Sequence, residues 1–75
     1  MEHGKRAHQA VRDMAEKNGT SFAAECEKIG ATTETVRYWK RSKYYISSYF
    51  LQQMYLHGYD IIYILTGSEN KVGKA

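Results

Sequence analysis

Apolar side chains recur along this chain at intervals of three and four residues, and a glycine closes four of the five runs. That spacing is the signature of helices with one buried face. Strands would need alternation between turn pairs, and the chain has none; it also lacks proline. Residues 5–18 place Ala7, Val11, Met14 and Ala15 on one face and stop at Asn18-Gly19. Thr20 or Ser21 caps a second helix to about Lys28, with Phe22, Ala23, Cys26 and Ile29 as its apolar face. Gly30 ends it, and Thr32 caps a third helix, 33–41, with Val36 and Trp39 turned inward. Residues 42–46 are a short connector. A fourth helix, 47–57, buries Phe50, Leu51, Met54 and Tyr55 and stops at Gly58. Asp60 caps a fifth, 61–65, which stops at Thr66-Gly67. The expected fold is an all-α bundle of five helices. Residues 1–67 form its one domain, and 68–75 form a frayed polar tail with little to bury.

At 75 residues the core is thin. A chain of this size buries only about 60% of the surface it exposes when unfolded. A single cysteine excludes an internal disulfide and suits a reducing, cytoplasmic compartment. The start MEHGKR is polar with no apolar stretch behind it, so no secretory signal is expected. The longest apolar run, 61–65, is too short to span a bilayer.

The formal net charge is +3, but its distribution says more. Six of the eight acidic residues lie at or before Glu34, and none lies between Thr35 and Tyr59. Arg37, Lys40, Arg41 and Lys43 fall within seven positions. A local positive field of this kind suits a polyanion: nucleic acid first, an anionic membrane second. The third helix is too short for the amphipathic membrane role.

The stretch GATTETVRYWKRSKYY, residues 30–45, joins that field to two large apolar side chains. A helix-turn-helix needs a small residue where its helices cross, a glycine in the turn, and apolar anchors on the inner face of the second helix. Cys26, Ile29, Gly30, Val36 and Trp39 supply these in order. The opposite face then carries Thr33, Glu34, Arg37, Tyr38 and Arg41. The stretch GATTETVRYWKRSK resembles the turn and recognition helix of phage-repressor-like (Cro/CI, XRE-type) DNA-binding domains. The ending GYDIIYILTG is similar to the last short helix of many such repressors, and the joint resemblance covers roughly residues 5–67. Three places depart from the family pattern. Glu25 stands before the small residue, where an apolar side chain is usual, and Phe22 opens the second helix, where glutamine is common. Lys43-Tyr44-Tyr45 forms the loop after the recognition helix, where glycine and proline are common.

The resemblance implies a lambda-repressor-like bundle acting as a sequence-specific transcriptional regulator on double-stranded DNA. It implies base contacts from Thr33, Glu34, Arg37 and Tyr38. Arg37 suits guanine O6/N7, Glu34 suits cytosine N4, and the Thr33 methyl suits a thymine methyl. Glu34 equally suits the positive end of the helix dipole. Ser21, Thr32, Lys40, Arg41, Lys43, Tyr44 and Tyr45 are the expected phosphate contacts. Such proteins commonly bind palindromic sites as two-fold dimers. The fifth helix is apolar nearly all round, which makes Ile61, Ile62, Tyr63 and Leu65 the expected dimer contacts.

Other classes find less support. His3, His8 and His57 lack metal-ligand spacing, and Cys26 has no partner thiol. There is no phosphate loop or nucleophile motif, so neither enzyme activity nor a cofactor is expected. The alternative is a protein-interaction module of antitoxin or antirepressor type that keeps the helix-turn-helix fold. A MerR- or excisionase-like binder is suggested by TVRYW, but the strand-forming wing is missing.

Overall fold

A computed structural model of the chain describes residues 3–41 and 46–68. It contains α1 (His3–Asn18), α2 (Phe22–Lys28), α3 (Thr33–Arg41), α4 (Ser48–Leu56) and α5 (Ile61–Thr66), with no strand among the described residues. Residues 42–45 of the expected connector and 69–75 of the expected tail lie outside the described residues. No helix of the described residues is long and apolar enough to cross a membrane.

The caps explain the boundaries. The Ser21 hydroxyl accepts from the Ala24 amide at 3.0 Å and opens α2. Thr32 Oγ1 accepts from the Thr35 amide at 3.1 Å at the start of α3, and the Asp60 carboxylate accepts from the Tyr63 amide at 3.0 Å at the start of α5. Each satisfies a backbone donor that has no partner within its helix. At the other ends, α1, α2 and α4 close with the same six-to-one bond: Thr20 N to Ala15 O, Ala31 N to Cys26 O and Tyr59 N to Met54 O. Gly30 sits at φ +77° in the tight turn between α2 and α3, a conformation that suits glycine.

The core forms around α1, which packs against α2, α3 and α5. Ala7, Val11, Ile29, Val36, Trp39, Met54 and Ile64 are fully enclosed, with Cys26, Ile46 and Tyr59 nearly so. Trp39 packs edge-on against Phe50, with ring centroids 5.5 Å apart. Its indole Nε1 has no acceptor among the described residues, so Trp39 contributes through apolar area. Arg6 ties α1 to α5. Its Nε donates to the carbonyls of Tyr63 and Ile64, and its Nη2 donates to that of Leu65 at 3.1 Å.

Four details differ from the sequence expectation. α1 begins at His3, because His3 and Gly4 are buried at its start and the Ile46 amide donates to His3 Nδ1 at 3.5 Å. α4 is shorter than 47–57: Ser47 and His57 are its caps. Tyr55 is 69% exposed instead of buried. The turn at His57-Gly58 brings Tyr59 back against Met54, and Tyr59 takes the core place instead. Ala23 is exposed, while Glu25, a carboxylate, is 1% exposed.

The burial of Glu25 has a local cause. Its Oε2 accepts from Thr20 Oγ1 at 2.6 Å, Lys28 Nζ at 3.1 Å and Asn18 Nδ2 at 3.4 Å. A buried charge is tolerated when donors converge on it in this way, here all on one carboxylate oxygen. The Thr20 hydrogen bond first, then those of Lys28 and Asn18, hold its carboxyl below the usual range against the opposing effect of burial. One side chain thus fastens the α1–α2 turn to α2, where the resembled family uses an apolar residue.

Candidate nucleic-acid interface

α3 has two faces of opposite chemistry. Val36 and Trp39 are fully enclosed. Glu34, Arg37, Tyr38, Lys40 and Arg41 are exposed, and Tyr38 keeps 49% of its surface accessible. The acidic residue stands in the first turn and Lys40 and Arg41 in the last, as the helix dipole favours. Of the four expected base contacts, Glu34, Arg37 and Tyr38 lie outside the core; Thr33 is half-buried.

Arg37 has a more specific position than spacing implied. Its guanidinium carbon lies 6.0 Å from the centroid of the Phe22 ring. Phe22, which cannot hold a phosphate as glutamine would, instead offers an aromatic face to the cation. Phe22 also packs against His8, with ring centroids 5.4 Å apart.

The remaining expected contacts divide into two groups. Ser21, Thr32 and Thr33 line one shallow groove beside the α2–α3 turn, together with Glu27. The Ser21 oxygen accepts the capping bond, which leaves its O–H able to donate. Thr32 shares a 2.9 Å hydroxyl–hydroxyl bond with Thr35. Lys40 faces the other flank, and Arg41 lies exposed at the end of α3. Lys43, Tyr44 and Tyr45 lie outside the described residues.

That other flank is a cleft of about 490 Å3 between α1 and α3, lined by His8, Arg12, Phe22, Arg37 and Lys40, with Glu16 also on its wall. Periodicity did not single out His8 or Arg12. They occupy the stripe of α1 beside the apolar one, at i and i+4, which was a visible signal of a shared face. Burial first, and then the charges of Lys40, Arg12 and Arg37, hold the His8 imidazole below its ordinary value.

The expected dimer residues also divide. Ile62 and Leu65 are exposed, at 52% and 38%. Ile61 and Tyr63 are half-buried and pack on the core of their own domain. Tyr55 and Leu56 at the end of α4 are exposed apolar neighbours in sequence, at 69% and 64%. Elsewhere, burial pushes the Cys26 thiol up, away from the reactive thiolate form. No group of three or more metal-ligating side chains occurs among the described residues. Compared with protein-family models, with curated proteins and with solved structures, the chain matches none.

Proposed function

We propose that the chain is a sequence-specific, double-stranded-DNA-binding regulator of phage-repressor type, with α2, its turn and α3 acting as a helix-turn-helix. The observation that carries this reading is the division of α3. Two enclosed anchors fix its inner face, and Glu34, Arg37, Tyr38, Lys40 and Arg41 are exposed on the rest. A rigid helix with a polar, cationic outer face fits a major groove about 12 Å wide. Glu34, Arg37, Tyr38 and the edge of Thr33 then meet base edges. Ser21, Thr32, Lys40 and Arg41, with Lys43, Tyr44 and Tyr45, meet phosphates. The protein acts by occupying an operator, as a homodimer through Ile62 and Leu65, with Ile61 and Tyr63 supporting them from the core side.

Amide chemical shifts followed during titration with a duplex of random sequence test this placement. The expected result is perturbation concentrated on Ser21, Phe22 and residues 32–41. Perturbation absent from α3 contradicts it.

A second reading is favoured by one observation. Tyr55, Leu56, Ile62 and Leu65 are large apolar residues exposed on α4 and α5, which pack together. Exposed apolar area suits a protein partner. An antitoxin- or antirepressor-like module would use this surface and leave α3 idle, so the same titration separates the two readings.

A further inference from the structure

The cleft between α1 and α3 gathers three positive charges against one carboxylate. Arg12 reaches it from α1, and Arg37 and Lys40 reach it from α3. None of the three makes an ion pair or hydrogen bond with the described residues; Arg37 has only its contact over Phe22. Glu16, the carboxylate on the lining, pairs with none of them. Like charges held together repel and cost stability, a cost that a bound anion removes. The space of about 490 Å3 admits a tetrahedral anion with some of its water. Half-buried Phe22 and buried Ala15 form the apolar side of the cleft, which strengthens electrostatic contacts made there.

We propose that this cleft is a phosphate-binding site, in which Arg12 from α1 and Lys40 from α3 donate to the oxygens of one phosphoryl group and Arg37 stands at its mouth. Phosphate fits better than a carboxylate, because its tetrahedral oxygens accept from two helices at once. Arg12 supplies the planar fork and Lys40 the point charge that phosphate sites combine. The phosphoryl group has two possible sources: the backbone of a duplex lying against α3, or a free phosphate ion. For the duplex source the inference relies on the DNA-binding reading; for the free ion it does not.

Two titrations of wild type and Arg12→Gln test the site. Arg12 is exposed and makes no hydrogen bond with the described residues, so the variant should fold; Lys40→Gln is the second variant. The first titration uses a random-sequence duplex over a range of salt. A lost phosphate contact lowers the log–log salt slope by about one and weakens binding equally on every sequence. The second uses inorganic phosphate at constant ionic strength, read at the His8 ring resonances, which should shift saturably in wild type and not in R12Q. A lowered slope without a response to inorganic phosphate assigns the site to the DNA backbone. A response to inorganic phosphate supports the site with a free ion as ligand, even if no duplex binds and the DNA reading falls. Duplex binding with an unchanged slope and no response to phosphate overturns the site and leaves the DNA reading standing. No response in either titration overturns both.

Discussion

The guanidinium carbon of Arg37 stands 6.0 Å from the centroid of the Phe22 ring. An exposed cation–π contact is worth about 0.5–1 kcal/mol. A bidentate arginine–guanine contact is worth about 1–3 kcal/mol of discrimination. The guanine contact is the stronger of the two, so the ring orders Arg37 in the free protein without trapping it. Arg37→Ala is expected to lower the unfolding midpoint by only a few degrees. On operator variants it should relax preference at one base pair while leaving the others intact. A uniform loss of affinity with every preference retained would assign Arg37 to phosphate instead.

Acid should destabilise the fold in two windows. His3 and His8 titrate below their ordinary value, chiefly through burial, so the unfolded chain binds more protons than the folded one just below pH 6.5. Stability therefore begins to fall as pH drops through 6.5. Glu25 is also depressed, so its contribution is present above about pH 4.5 and is lost as pH falls through its lower folded value. Thermal midpoints measured from about pH 7.5 to about pH 3 should show both limbs. Glu25→Gln should lower stability at neutral pH and flatten the lower limb; an unchanged lower limb contradicts the role given to Glu25.

Arg6→Ala removes the donors that hold three carbonyls at the end of α5. Hydrogen bonds from a charged group contribute about 1.5–3 kcal/mol, and the partial exposure of Arg6 argues for the lower end. In a domain this small that is a drop of roughly 6–12 °C in Tm. Amide exchange should quicken first in α5. Equal acceleration throughout the bundle would show that Arg6 does not act on α5 in particular.

Much of this fold was legible in the sequence. The bounds of α3 and the caps at Thr32 and Asp60 could be read directly, because a hydroxyl or carboxylate just before an apolar run has a local job; for α2 the sequence left Thr20 and Ser21 open, and Ser21 takes the cap. Val36 and Trp39 were legible because three-residue spacing puts both on one side of a helix. Glu25 was not. Two of its donors, Asn18 at the end of α1 and Thr20 in the turn after it, lie before α2, and a seven-residue helix gives periodicity too little length to outweigh a charge. Tyr55 and Tyr59 are four residues apart, and only the path of the chain after Gly58 decides which is buried. The cleft was legible only in part: spacing puts His8 and Arg12 on one face of α1, but what that face meets is set only once α1 lies against α3.

Ile62 is 52% exposed on α5, so Ile62→Lys should leave the monomer fold intact. It should abolish two-fold binding to DNA while sparing weak binding to half-sites. Sedimentation at micromolar concentration, with and without duplex, measures this. A wild type that is monomeric in both conditions contradicts the dimer.

Whether the outward face of α3 reads base sequence is decided most directly by selection from a random-sequence duplex pool. The selection is run with wild type and with Glu34, Arg37 and Tyr38 all changed to alanine. Wild type should enrich a near-palindromic motif, and the triple variant should lose it. No enrichment by wild type at any salt concentration, or the same motif from both proteins, would contradict base reading by α3.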